Sequence, residues 1–581
     1  MAVLTTPPEL RTRRRKSEGR APLRERVPAL ALLLFLSVFI VIPVIVLVVV
    51  SFYTGQPGRL RDFTTDNWSS LFNGDLLPII KNSIIYALFR TGGGLILALL
   101  FAWAVARTNV PGRRLMAICM PIPFLVPGLL VAMSWIFWAN PQNGLLNQMA
   151  SSVFGIDSLV NIYSWRGLIF LAIQGSTSFL FIMTLPFFYL MDPSHEEAAV
   201  TLGASRRRTF FTITIPMLAP AIIGAAILSF IRALETFEDP LLVGSPAGIY
   251  MFSNEIYRIL KQTVGLTGPA YGEATVLSMV LIATTFALVG VQWRLLGSRN
   301  FQTVSGKGFR PRRIQLSFVA RWSIFALFLV YFTVSVLMPG GLILLGSFSP
   351  RFGAYAVGDM TLQSWRDVFT DGNIMDGLKN TIIYSFVAGA VVVVLSGLVG
   401  YIRVRLRRLR IIGRALELVA WLPWTMPGLV LALALLWSFL LLPPPYNLYG
   451  TGTLVVIGFV IKGMPLGTRS MQSSIGQLSG ELEEAARVHG ASWLQSMRTV
   501  TIPLLRRGIF AAFVLIFALS ARDLSIPILL YGAGSQTLTI ALIEYYYNGE
   551  YTVVSAVAVI QLVIIFVLVA AERLSDRRQL S

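Results

Sequence analysis

The chain has 581 residues, 55% of them apolar and 13% charged, with a mean hydropathy of +0.70; a soluble domain carries roughly a quarter charged residues, so a soluble globular protein is excluded. One cysteine, Cys119, and two histidines, His195 and His489, exclude an internal disulfide, a multi-cysteine metal site and a histidine-rich metal path. The net charge of +20 does not point to nucleic acid, because the basic residues alternate with apolar runs long enough to cross a hydrocarbon core of about 30 Å.

A basic arm, 1–28, precedes the first apolar run, 29–51. That run is too long for the apolar region of a signal peptide and no A-x-A site follows it, so a retained first span is expected. Further spans are predicted at 80–106, 114–139, 166–191, 214–235 and 274–296. A basic linker, 298–317, leads to predicted spans at 318–346, 378–402, 415–442, 451–471, 505–523 and 552–571. The expected fold is an all-α polytopic membrane protein with about twelve transmembrane helices, six in each half (29–297 and 318–581). Both ends then lie on one side. There basic residues outnumber acidic ones about three to one, and on the other side acidic outnumber basic about two to one, which makes the side of the termini cytoplasmic.

The halves repeat one another. WSSLF (68–72) returns as WRDVF (365–369), KNSIIY (81–86) as KNTIIY (379–384), and PFLVPGL (123–129) as PWTMPGL (423–429). A cytoplasmic stretch, EEAAVTLGAS (196–205), returns as EEAARVHGAS (483–492) at a shorter offset, because the outer loop 139–165 is longer than its counterpart PPPYNLYG (443–450). Six spans per half give repeats of the same orientation, and parallel repeats of this kind commonly place the solute path at their interface.

Each twin segment has its own start. Asp192 is a candidate N-cap with Pro193 at N1, followed by Glu196 and Glu197; Ser479 and Gly480 take those places in the second copy, followed by Glu481, Glu483 and Glu484. Both copies then run through a shared pattern: Glu197, Ala198, Ala199, Gly203 and Pro216 in the first, Glu484, Ala485, Ala486, Gly490 and Pro503 in the second, at identical internal spacing. The alanines leave a helix face without bulk, the glycine permits a left-handed turn into a second short helix, and proline suits the first turn of the next span. A helix lying on headgroups would account for Arg206, Arg207, Arg208, Arg506 and Arg507. It does not account for the matched spacing, which points to two equivalent docking elements for two equivalent partners.

These segments resemble the cytoplasmic loop of the permeases of ATP-binding-cassette importers: E-A-A, three residues, G, nine residues, I-x-L-P. Isoleucine replaces leucine before the proline in both copies, and valine replaces the first isoleucine in the second. The resemblance covers nearly the whole chain, half by half. It implies a type I importer fold in the bacterial cytoplasmic membrane, with coupling helices at about 192–213 and 479–500. Each would sit in a groove of one subunit of a homodimeric nucleotide-binding ATPase, whose closure drives alternating access. Glu197 and Glu484 are expected to cap or ion-pair at that seat, and Gly203 and Gly490 to form the bend. An extracytoplasmic solute-binding protein is implied as the second partner. The chain has no G-x-x-x-x-G-K-[ST] loop, and SGKG (305–308) lacks both the spacing and the hydroxyl. The expectation is therefore a transport subunit and not an enzyme, with no cofactor of its own; ATP and Mg belong to the partner ATPase.

Ionisable residues inside spans are costly and carry a functional hypothesis by default. Arg90 lies in the second span and Lys462 in the tenth, near the position of Gln174 in the first half, while Glu417 is expected to be interfacial. RALETFEDP (232–240) and LSARDLSIP (519–527) close the spans after the twin segments. Arg232 and Glu235 are spaced to pair at i, i+3, and Arg522 stands where Glu235 stands. With Glu238, Asp239 and Asp523 they form either an outer gate and solute-contact cluster or a hydrated span end. IEYYYNGEY (543–551) and Trp135, Trp138, Trp421 and Trp424 read as aromatic belts. With both halves in one chain, the layout is similar to the fused permeases of ferric-iron uptake, and also to those for thiamine or phosphonates. Ferric iron is the first expectation for the solute, and an ATP-independent secondary transporter is the alternative class. An outer acidic excess that includes Asp367, Asp371, Glu544 and Glu550 suits a hard cation but follows equally from topology.

Overall fold

The computed structural model describes residues 22–296 and 314–577 apart from 75, 157, 193, 262–269 and 354–356. Most of the basic arm, Pro193 and most of the linker therefore lie outside the described residues.

Ten helices among the described residues are long and apolar enough to cross a membrane, and two bent pairs bring the membrane elements to twelve. In the first half these are α1 (Leu23–Val50), α2 (Leu76–Arg107), the pair α3 (Arg113–Leu125) and α4 (Gly128–Ala139), α5 (Trp165–Leu190), then a short helix α6 (Ser194–Thr201), α7 (Arg207–Glu235) and α8 (Tyr271–Leu296). The second half repeats the order: α9 (Phe318–Phe348), α10 (Gly372–Arg405), the pair α11 (Arg410–Thr425) and α12 (Gly428–Leu440), α13 (Gly452–Gln477), the short α14 (Glu481–Val488), α15 (Trp493–Ala521) and α16 (Tyr551–Arg577). Helices dominate because hydrocarbon offers no partner for backbone N–H and C=O groups, which a helix satisfies within itself. One small departure from the all-helical expectation is a hairpin of β1 (Tyr53–Gln56) and β2 (Arg59–Phe63) at the outer end of α1.

The spans predicted at 114–139 and 415–442 are broken, with bends of 92° between α3 and α4 and 109° between α11 and α12. The cause is the repeated Pro-Gly of PFLVPGL and PWTMPGL. Pro127 and Pro427 cannot donate a helical hydrogen bond, and the residue before a proline is pushed to extended backbone. Val126 (φ −69°, ψ 130°) and Met426 (φ −111°, ψ 113°) are both extended.

Burial places α5 and α13 at the centres of the halves: 61% and 56% of their apolar windows are enclosed, against 22% for α7 and 28% for α1. α2 packs along α5, and α10 along α13. Glycine permits both approaches, as small residues do at membrane helix interfaces. A Cβ on Gly94 would meet Ser176, and a Cβ on Gly467 would meet Val392 and Ser396.

The first helix of each half crosses to the other half. α1 packs on α11 and α12, and α9 packs on α4. Ser134 Oγ donates to the Pro339 carbonyl at 3.1 Å, Trp138 Nε1 to the Met338 carbonyl at 3.0 Å, and Tyr331 Oη to the Gln174 carbonyl at 2.9 Å. Trp135, at 5% exposed, lies in the same core. Trp138 thus stitches the halves together and Trp135 packs on Phe170 inside the core, so neither forms the expected belt. The expectation for IEYYYNGEY changes too. Leu538–Tyr547 is a separate short helix whose Leu538 to Ile543 are buried, and Tyr545 hydrogen-bonds the Asp371 carboxylate.

Candidate translocation cavity and coupling helices

A cavity of about 270 Å³ lies between the halves. All nine residues singled out for a pathway or gate line it: Arg90, Gln174, Arg232, Glu235, Glu238 and Asp239 from the first half, Lys462, Arg522 and Asp523 from the second. The two helix breaks border it as well. Gly128 and Gly428, the first residues of α4 and α12, line it together with the rings of Phe124 and Trp424. Trp424 therefore faces the cavity instead of serving as a belt residue.

The charged side chains are tied into networks by neighbours on other elements. Arg90 donates to Tyr86 Oη at 3.2 Å and to Thr236 Oγ1, and Tyr86 donates to Asp239 Oδ2 at 3.0 Å. These bonds fasten α2 to the segment after α7. In the second half Lys462 on α13 pairs with Asp523 and donates to Ser525 Oγ at 2.9 Å; Asp523 Oδ1 accepts from Ser525 Oγ at 2.9 Å and from the Ile526 N–H at 3.0 Å. Arg522 reaches across to the first half, donating to the Phe124 carbonyl, with its guanidinium 5.1 Å from the Phe124 ring centre.

The expected Arg232–Glu235 ion pair does not form. Among the described residues no carboxylate lies within 4.0 Å of Arg232. Its guanidinium instead sits 5.4 Å from the centre of the Phe124 ring and 4.9 Å from that of Phe179, where the ring quadrupole attracts a cation. Gln174 is 5% exposed, and neither of its amide atoms has a hydrogen-bond partner among the described residues. Glu417, as expected for an interfacial residue, pairs with Arg403 at 2.5 Å.

The twin helices α6 and α14 are built alike. At the start Asp192 accepts the Ser194 N–H at 2.9 Å, and Ser479 Oγ accepts the Glu481 N–H at 3.3 Å. The Ser194 N–H, followed by the Ser194 hydroxyl, holds the Asp192 carboxyl below the usual carboxylate range. At the end Gly203 (φ +86°) donates to the Val200 carbonyl and Ala204 to that of Ala199; Gly490 (φ +85°) donates to the Arg487 carbonyl and Ala491 to that of Ala486. Both pairs of bonds are the Schellman termination, which places glycine in the left-handed region.

Replacing Gly490 by alanine is expected to cost about 1 kcal/mol through the positive φ alone, since nothing lies within 4 Å of the added Cβ. The melting temperature of the purified protein checks this against Gly476→Ala, where the site is equally open but φ is not positive.

After each bend the chain does not form a separate short helix followed by a span. The turns from Arg207 and Trp493 run on as the first turns of α7 and α15 through a π-helical stretch, in which the Ile215 N–H bonds the Phe210 carbonyl and the Ile502 N–H that of Met497. Pro216 and Pro503 follow directly. Having no N–H, they leave the carbonyl four residues back without its usual donor, and the wider turn accommodates them. Glu197, Ala198, Glu484 and Ala485 are exposed, while Ala199 is buried and Ala486 half-buried. Within the chain, the residue before each is the one that faces an arginine: Glu196 faces Arg107 and Glu483 faces Arg405, while Glu197 and Glu484 stay exposed.

Residues 94–297 and again 393–581 match the family of binding-protein-dependent transport system inner membrane components, one match in each half. The chain belongs to that family. As such a component it is an ABC importer permease, a multi-pass protein of the inner membrane. It is 26% identical over 550 residues to the ferric transport system permease protein FbpB of Actinobacillus pleuropneumoniae, covering 93% of this chain and 76% of that one. It is 27% identical over 525 residues to a putative ferric transport system permease protein FbpB 1 of Haemophilus influenzae, covering 88% and 78%. Among solved structures, a chain of a bacterial ABC transporter involved in import of the acidic polysaccharide alginate aligns with a TM-score of 0.35 and 21% identity, over 44% of this chain and 98% of that one.

Four residues that line the permease's cavity, Phe124, Phe179, Thr236 and Ser525, were not singled out from the sequence, and neither was Tyr86, which bonds Arg90 and Asp239 from behind it. Phe124 had a signal, standing in the repeated stretch before Pro-Gly. Tyr86 had one too, in KNSIIY.

Proposed function

We propose that this permease forms the path of an ATP-driven importer, opening alternately to either side at the cavity between its halves. α6 and α14 would each seat one subunit of a homodimeric ATPase that binds ATP and Mg. The observation that carries this reading is the pair of helices with the same start, the same Schellman end and the same exposed Glu-Ala edge, each following the fourth membrane element of its half. Charge asymmetry supports a cytoplasmic position for them and for both termini. An extracytoplasmic solute-binding protein would deliver the solute to the outer loops.

Ferric iron is the proposed solute, on the strength of the two ferric-transport relatives that align with about nine-tenths of the chain. The orphaned amide of Gln174, and Glu235 and Glu238, which join no ion pair among the described residues, leave the cavity with polar capacity for a small solute. The reading is tested by reconstituting the chain with its ATPase and binding protein in liposomes and following ferric iron, thiamine and phosphonate. Uptake of ferric iron alone, and only with ATP hydrolysis, is expected. Uphill uptake without the ATPase would overturn the importer reading, and uptake of another solute would overturn the choice of iron.

A further inference from the structure

Two arginines, 298 positions apart, occupy the last residue of the long helix in each half: Arg107 ends α2 and Arg405 ends α10. Each meets the same two elements of its half. Arg107 Nη2 donates to the carbonyl of Met191, the residue that closes α5, at 2.6 Å; Arg405 Nη2 donates to that of Leu478, which closes α13, at 2.8 Å. A guanidinium on the last carbonyls suits the negative end of the helix dipole. The same guanidinium faces the first turn of the twin helix, with Arg107 Nη1 3.9 Å from Glu196 Oε2 and Arg405 Nε 3.5 Å from Glu483 Oε1.

Both pairs are enclosed, with side-chain exposures of 2% and 12% in the first half and 16% and 10% in the second. Neither is a hydrogen bond: Arg107 Nη1, Arg405 Nε and Glu483 Oε1 are buried without one. Charge-assisted N–H···O bonds close to about 2.7–2.9 Å, so the first joint keeps roughly 1 Å of slack and the second somewhat less. The second contact of each carboxylate differs between halves. Glu196 accepts from Thr214 Oγ1 at 2.6 Å, on α7, and Glu483 from Tyr401 Oη at 3.1 Å, on α10, to which Trp493 Nε1 also donates at 3.2 Å.

We propose that Arg107 and Arg405 are positioning residues that tie each coupling helix to the long helix of its own half, so that a displacement of α6 or α14 is carried into α2 and α10. α2 is one continuous helix from Arg107 to Arg90, a lever of about 25 Å at 1.5 Å per residue, and Arg90 lines the cavity. Arg107 is also fixed by the end of the linker between the halves, its carbonyl accepting the Ile314 N–H at 2.8 Å. This inference rests on the reading of α6 and α14 as ATPase seats.

The test uses the complete complex in liposomes, with ATP hydrolysed and ferric iron transported measured on the same sample. Wild-type transport that needs no ATPase would sink the seat reading itself. With that reading intact, Arg405→Gln and Arg107→Gln are expected to raise the ATP consumed per solute moved by about tenfold or more. Glu483→Gln keeps an oxygen for Tyr401 but removes the charge, and is expected to do the same even where an arginine variant assembles poorly. The Arg405→Gln/Glu483→Gln double variant should be no worse than either single one, as befits two ends of one contact. Unchanged stoichiometry in the single variants, whether or not both rates fall together, or additive effects in the double one, would overturn the proposal.

Discussion

Gly94→Val is expected to lower the yield and melting temperature of the folded protein sharply, whereas Gly92→Val, two residues away on the same helix, is expected to be silent. An added Cβ at Gly94 meets the Ser176 side chain and comes within 3.1 Å of its carbonyl carbon, whereas nothing lies within 4 Å of the Cβ position of Gly92. Gly93 falls between: its Cβ would meet Ile173 Cδ1 at 2.5 Å, the far end of a side chain with other rotamers. Ser176 also donates to the Arg90 carbonyl at 2.7 Å, so α2 and α5 cannot part without losing a buried hydrogen bond beside the cavity. Overpacking against backbone costs about 3 kcal/mol, a large share of the about 5–15 kcal/mol that holds a typical protein folded. Yield of monodisperse protein and melting temperature across the three valine variants check the order: Gly92 unchanged, Gly93 intermediate, Gly94 lowest.

That series also marks what the sequence could and could not say. Hydropathy located the membrane elements, because bilayer thickness sets a minimum length that few other segments meet. It did not distinguish a straight span from a broken one. Residues 114–139 and 415–442 are long and apolar enough for either, and only the proline in the repeated Pro-Gly carries the information that α3 and α4, or α11 and α12, meet at a sharp angle. Charge was legible as position: all nine residues flagged at costly or span-end sites line one cavity, although the stretches holding them lie hundreds of residues apart. Pairing was not legible. Helical spacing put Glu235 in reach of Arg232, but the rings that attract that arginine come from α3 and α5, and no local pattern encodes a contact between elements. The same limit explains why the contacts of Glu196 with Arg107 and of Glu483 with Arg405 were not foreseen. A motif fixes which residues recur, whereas the rotation of α6 and α14 about their axes, set by contact with the first turns of α7 and α15 and with Arg107 and Arg405, decides which face turns inward.

Lys462→Met is expected to stop transport and to destabilise the permease, and the double variant Lys462→Met/Asp523→Asn to recover the stability without the transport. Removing one partner of a buried ion pair costs about 3–5 kcal/mol, because the other charge stays behind without compensation. Here the Lys462 side chain is 37% exposed and that of Asp523 9%, so solvent screens part of the interaction and a loss of about 2 kcal/mol is the reasonable figure. In the double variant no charge is left stranded, and the asparagine amide would keep an oxygen for Ser525 and for the Ile526 N–H, the two remaining partners of the Asp523 carboxylate. Melting temperature should therefore return most of the way. Transport should not, because Lys462 and Asp523 both line the cavity and together fasten α13, the helix that leads into α14, to the stretch closing α15. Uptake restored along with stability would mean the pair holds the bundle together and nothing more. Stability restored alone would place these charges on the route itself, where a change of side chain is felt by whatever passes.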